Sequence, residues 1–133
     1  MDERKKILIV DDDPDVVESM TIVLESQGYE VIQAYGGQDG LARLSEGPDL
    51  IILDVMMETE AEGLQFAYKV KVDDATYAAY RDIPIIMITS LHGKLGYRID
   101  DATGSEYLPV NAFIDKPAQP PQLLDAVRRL LDA

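Results

Sequence analysis

Short, unbroken apolar runs alternate along this chain with longer stretches of helical period. Ile7-Leu8-Ile9-Val10 has no polar interruption, as expected of a strand buried on both faces. Asp13-Pro14-Asp15 then has the form of a helix start. Asp13 is the N-cap, and Pro14 takes the first helical position, where an N–H would have no intrahelical partner. Val16, Met20, Val23 and Leu24 share one helical face, and Gly28 closes that helix. Residues 31–34 read as a second strand. Gly36-Gly37 breaks the chain before a short helix marked by Leu41 and Leu44, which ends near Gly47-Pro48. Residues 50–53 form a third strand that runs into Asp54. Leu64, Tyr68 and Val72 lie on one face of a third helix. Residues 83–88 are a fourth strand, with Pro84 near its beginning, where a missing N–H costs least.

The stretch 91–110 is different. Gly93, Gly96, Gly104 and Pro109 interrupt any helical stripe, so the fourth-helix region is expected to be irregular. Residues 112–114 are a fifth strand, and Pro120-Pro121 opens a last helix with Leu124, Val127 and Leu131 on its core face. Strands that alternate with helices imply a mostly parallel sheet covered on both faces. A length of 133 residues fits one domain, 1–133, and 47% hydrophobic residues suffice for a packed core.

Charge narrows the function classes. Twenty-five acidic residues stand against 12 basic ones, a net charge of −13. Such a surface repels phosphate backbones and anionic lipid, so neither nucleic acid nor membrane is an expected partner. It suits a cation or a basic protein face. Behind Arg4-Lys5-Lys6 only four apolar residues precede the acidic run, too few for a signal peptide. No apolar run approaches the roughly 20 residues of a membrane span, so a cytoplasmic location is expected. There is no cysteine, hence no disulfide and no thiolate zinc site. The one histidine, His92, sits in the irregular stretch, and no role is assigned to it.

Functional groups of open parallel sheets collect at the carboxyl ends of the strands. Asp11, Asp12 and Asp13 follow strand one, Asp54 ends strand three, Thr89 and Ser90 follow strand four, and Lys116 follows strand five. Clustered carboxylates repel one another unless a cation sits among them. Oxygen donors without His or Cys suit Mg²⁺. A carboxylate beside such a cation is a nucleophile toward phosphorus, and Mg²⁺, Lys116 and the Thr89 hydroxyl would neutralise the charge on the transferred phosphoryl group. Asp13 reads as a helix cap rather than a ligand.

The segments Ile-Leu-Ile-Val-Asp-Asp-Asp (7–13), Ile-Ile-Leu-Asp-Val-Met-Met (51–57), Met-Ile-Thr-Ser (87–90) and Phe-Ile-Asp-Lys-Pro (113–117) resemble, in order and over nearly the whole chain, the receiver domain of bacterial two-component response regulators. The resemblance implies a flavodoxin-like, doubly wound, five-stranded parallel sheet of order 2-1-3-4-5 with helices on both faces. It implies that Asp54 is the phosphoacceptor, and that Asp11, Asp12, the Asp54 side chain and the Met56 backbone carbonyl hold Mg²⁺. Lys116 would contact the phosphoryl group through a loop with a cis Lys116-Pro117 bond. Thr89 would move to bond the phosphoryl group, and Phe113 would be the coupled aromatic switch. The phosphodonor would be a histidine kinase or phosphotransfer protein, and the protein would be a switch rather than an enzyme turning over an external substrate. With no DNA-binding region after the last helix, a stand-alone regulator or relay link acting on a downstream protein is expected.

Two departures qualify the resemblance. The spacings from Asp54 to Thr89 and from Thr89 to Lys116 are a few residues longer than usual, the second where the fourth helix belongs. The resemblance implies that the positions two residues after Asp54 and Thr89 influence how fast the acyl phosphate hydrolyses; here they are Met56 and Leu91, apolar and unable to orient a water, so slow self-dephosphorylation is expected. A haloacid-dehalogenase-type phosphatase would also use a strand-end Asp and Mg²⁺, but needs an acid where Met56 stands. A phosphorylation-independent interaction module is the other alternative, and the intact Asp11, Asp12, Asp54, Thr89 and Lys116 speak against it.

Overall fold

The computed structural model describes residues 4–54, 80, 82–89, 112–115 and 119–131, with the strand residues 89, 112, 113 and 115 described by backbone alone. Five strands, β1 (Lys6–Val10), β2 (Glu30–Ala34), β3 (Leu50–Asp54), β4 (Ile85–Thr89) and β5 (Ala112–Asp115), form one sheet in the order β2-β1-β3-β4-β5. All neighbours are parallel. This is the expected doubly wound order. The helix expected around Leu64, Tyr68 and Val72 and the irregular stretch 91–110 lie outside the described residues.

The unbroken apolar runs have a direct cause. Side chains alternate across a strand, and here both faces are covered. Leu8, Val10, Ile51, Leu53 and Met87 pack on one face with Leu44 and, at the margin, Leu41. Leu41 belongs to α2 (Gly37–Arg43), and Leu44 opens the short 3₁₀ turn Leu44–Glu46 that extends it. On the opposite face Ile7, Ile9, Ile52 and Ile86 meet Val17, Met20 and Leu24 of α1 (Pro14–Ser26) and Leu123, Ala126 and Val127 of α3 (Pro120–Leu131). Fully burying each large aliphatic side chain stabilises the fold by roughly 1.5–3 kcal/mol.

Helix α1 is fixed at both ends. Asp13 is the N-cap, as expected, and its Oδ1 accepts the Asp15 N–H at 3.0 Å. At the other end the cap residue is Gln27, and Gly28 lies one position beyond it with φ of +90°. The Gly28 N–H donates to the Glu25 carbonyl and the Tyr29 N–H to the Leu24 carbonyl, the paired bonds of a Schellman turn. Arg128 of α3 reaches across to donate to the Gln27 side-chain oxygen at 3.1 Å. At the amino edge of the sheet, Asp49 accepts the Lys6 N–H on its carboxylate at 2.8 Å and donates its own N–H to the Lys6 carbonyl at 2.7 Å. That clamp sets the β1–β3 register.

Three local readings of the sequence are corrected. Strand β4 begins at Ile85 rather than at residue 83. Pro84 has no N–H to give a ladder, and the Ile83 N–H turns back onto the Tyr80 carbonyl at 3.1 Å. The Pro84 carbonyl still accepts the Ile51 N–H. Helix α3 is rotated by about one residue: Leu123, Ala126 and Val127 are buried, whereas Leu124 and Leu131 are half-buried at the margin. In α1, likewise, Val17 is buried and Val16 and Val23 are half-buried.

Candidate functional site

Strands β1 and β3 run side by side, with Val10 opposite Leu53. The next residue on each is an aspartate, so Asp11 and Asp54 emerge together at the carboxyl edge. The Asp11 N–H donates to the Ala34 carbonyl at 3.1 Å, which carries the β1–β2 ladder one residue past the strand. Asp54 is itself the last residue of β3 and pairs with Ile88 of β4. Backbone ladders therefore hold both positions. Asp11 is 2% exposed and Asp54 3%.

Asp12, which is exposed, completes the group. One carboxylate oxygen from each of Asp11, Asp12 and Asp54 lies within 4.8 Å of the other two. Two buried carboxylates and a third at the rim make a site of concentrated negative charge, and a cation among them is the simplest way to offset it. The donors are all hard oxygens, and no described His or Cys joins them. That set fits Mg²⁺, which takes one or two carboxylates, keeps several waters and bridges to phosphate oxygens.

Of the other residues singled out from the sequence, Thr89 ends β4 and pairs with Asp115, so its backbone stands at this same edge. Phe113 lies within β5 opposite Met87. Lys116 follows β5 directly but lies outside the described residues, as do Met56, Leu91 and Pro117. One feature escaped the sequence reading: the Asp13 N–H donates to Asp11 Oδ1 at 2.9 Å. Its signal was available, because an aspartate commonly accepts the backbone N–H two residues on, and Asp11, Asp13 and Asp15 have that spacing. No helix among the described residues is long and apolar enough to cross a membrane.

Comparison with known proteins agrees with this geometry. The response regulator receiver domain family matches residues 7–128. The chain is 36% identical over 129 residues to the DNA-binding dual master transcriptional regulator RpaA of Synechocystis, covering 95% of this chain and 48% of that protein. It is 34% identical over 128 residues to the phosphate regulon transcriptional regulatory protein PhoB of Pseudomonas aeruginosa, covering 96% and 52%. The chain thus spans about half the length of the curated relatives it matches. Among solved structures, the chemotaxis protein CheY4 of Vibrio cholerae superposes with a TM-score of 0.80 at 28% identity, covering 97% of this chain and all of that one. A CheY-like receiver domain protein from Methanospirillum hungatei gives 0.77 at 28%, covering 98% and 95%. Receiver domains bind Mg²⁺ at an acidic pocket, are phosphorylated by histidine kinases and work as signalling switches. The sheet order, the acidic edge and the family match together place this chain in the response regulator receiver domain family of two-component systems.

Proposed function

We propose that residues 1–133 act as one receiver domain that takes a phosphoryl group on Asp54 from a phosphohistidine and switches an output face. The observation that carries this reading is the side-by-side, buried placement of Asp54 and Asp11 at the carboxyl edge, with Asp12 at the rim. An Asp54 carboxylate oxygen attacks phosphorus in line. The new O–P bond forms as the N–P bond of the donor histidine breaks, and the imidazole leaves with the electron pair. Asp11, Asp12, the Asp54 carboxylate and the Met56 carbonyl would hold Mg²⁺. When bound, the ion supplies charge neutralisation at the phosphoryl oxygens. Lys116, one residue past β5, contributes a second positive charge, and Thr89 a hydroxyl from the end of β4. Rearrangement of Thr89 and Phe113 then links the acyl phosphate to the output face.

The phosphodonor is a histidine kinase or phosphotransfer protein, and the output is contact with another protein. A net charge of −13 suits protein contacts better than phosphate backbones. The test is incubation with acetyl phosphate, with and without Mg²⁺, and intact mass measurement beside Asp54→Asn. A Mg²⁺-dependent phosphoryl adduct absent from the variant supports the reading. No adduct, with cation binding intact, shifts the weight to a phosphorylation-independent interaction module.

A further inference from the structure

Asp13 is exposed and lies outside the three-carboxylate group, yet each of its backbone polar groups and its side chain has a task. Its Oδ1 accepts the Asp15 N–H at 3.0 Å, and its carbonyl accepts the Val17 N–H at 3.1 Å, the first bond of α1. Its own N–H donates to Asp11 Oδ1 at 2.9 Å. The two side-chain bonds are the same turn used twice in succession, with an aspartate accepting from two residues on. The first turn holds a buried carboxylate of the proposed cation site, and the second anchors the residue that holds it.

We infer that Asp13 is a positioning residue for the cation site: by capping α1 it fixes its own backbone amide, and that amide, bonded to Oδ1, is one of the contacts that orient the Asp11 carboxylate. This inference rests on the reading of Asp11 as a metal ligand. The chain of cause runs through the cap and not through the Asp13 charge. Without the side-chain acceptor the first turn of α1 frays, because the Asp15 N–H loses its partner. The Asp13 amide then samples other directions, and Asp11 loses one of the interactions that orient its carboxylate. Groups that orient a ligand from behind set metal affinity in this way.

Asparagine keeps the acceptor oxygen and removes the charge, whereas alanine removes both. Mg²⁺ affinity measured by titration calorimetry is therefore expected to fall about three- to tenfold in Asp13→Ala and to stay within about twofold of wild type in Asp13→Asn. Gly28→Ala destabilises the same helix at its far end, where φ is +90°, without touching Asp11. It should leave Mg²⁺ affinity unchanged, which separates positioning from a general loss of stability. Equal weakening in the Asn and Ala variants would assign the effect to charge and overturn the inference. So would unchanged affinity in Asp13→Ala. If wild type and Asp11→Asn are alike in failing to bind Mg²⁺, the reading of the site itself falls, and this inference with it. Thermal melts of each variant confirm that a folded protein was titrated.

Discussion

Replacing Asp54 by asparagine should stabilise the protein without a cation and destabilise it, relative to wild type, with one. The oxygens of Asp11, Asp12 and Asp54 lie no more than 4.8 Å apart. At that separation one pair of unit charges repels by about 3.5 kcal/mol at an effective dielectric near 20, and by about 0.9 kcal/mol in bulk water. Asp11 and Asp54 are buried and Asp12 is exposed, so the Asp11–Asp54 pair lies toward the first value and the Asp12–Asp54 pair toward the second. Asp54→Asn removes both pairs while keeping one acceptor oxygen and nearly the same volume. Weaker hydrogen bonds to an amide than to a carboxylate, and the lost attraction to the Lys116 ammonium proposed for this site, return part of the gain. A net stabilisation of about 1–2 kcal/mol in EDTA remains, a rise in Tm of roughly 3–8 °C for a chain of this size. Magnesium reverses the order. At one hundred times its Kd a ligand that binds only the native state contributes RT ln 101, about 2.7 kcal/mol, to wild type, more than the variant's advantage in EDTA, and the variant with one carboxylate fewer gains less. The assay is thermal or urea unfolding of both proteins in EDTA and across a Mg²⁺ series. If Asp54→Asn melts at or below wild type in EDTA, the repulsion argument fails. If Mg²⁺ raises both equally, Asp54 is not a ligand.

Three further outcomes follow from the packing and from the flanking residues. Leu123→Ala should cost about 2–4 kcal/mol in urea unfolding and Leu124→Ala less than half as much, because Leu123 is 2% exposed in the core and Leu124 lies at its margin. Asp49→Ala should cost about 1–2 kcal/mol and speed hydrogen exchange at the Lys6 amide, whereas Asp49→Asn, which keeps an acceptor, should protect that amide nearly as well as wild type. Acyl phosphate formed on wild type should decay more slowly than on Met56→Asn or Leu91→Glu, each of which introduces a group able to orient water. Equal decay, followed by loss of the phosphoryl mass, would remove the apolar flanks as its cause.

The central strands were the most legible part of the chain because burial on both faces writes them as unbroken apolar runs. Ile7–Val10 and Leu50–Leu53 are fully buried, and nothing polar could stand in them. Boundaries were less legible where one backbone group decides them. Ile83 is as apolar as Ile85, and the turn bond from its N–H to Tyr80, with the missing N–H of Pro84, takes it out of the sheet. Helix faces were ambiguous wherever two apolar residues are adjacent. Val16-Val17 and Leu123-Leu124 each offer two registers, and periodicity weighs them equally. In α3 the small Ala126 settles the choice, since it is the residue turned to the sheet between Leu123 and Val127. Asp11, Asp12 and Asp54 were legible as strand-end carboxylates, but their adjacency was not. It depends on β1 and β3 being neighbours, and that order came from resemblance rather than from the pattern of residues.

That adjacency also explains why charge at this edge calls for a counterion rather than for movement. The strand order reverses at β1, with β2 on one side and β3 on the other, and α1 and α2 leave for opposite faces. Such a switch point is where open α/β sheets leave a crevice at their carboxyl ends. Exposed carboxylates in a loop would separate and hydrate. The backbones of Asp11 and Asp54 have no such freedom, because the ladders that carry them also pair Val10 with Leu53 inside the apolar core and Asp54 with Ile88 at its carboxyl edge. Driving the two backbone positions apart would mean breaking backbone hydrogen bonds and exposing side chains that are fully buried, at more than the few kcal/mol of repulsion to be relieved. The sheet therefore holds the charges together, and the demand for a cation is a property of the β1–β3 ladder. Substitutions in the segments beyond Asp54 and Thr89 should then change the rate at which the phosphoryl group is lost while leaving the dependence of its uptake on Mg²⁺ intact.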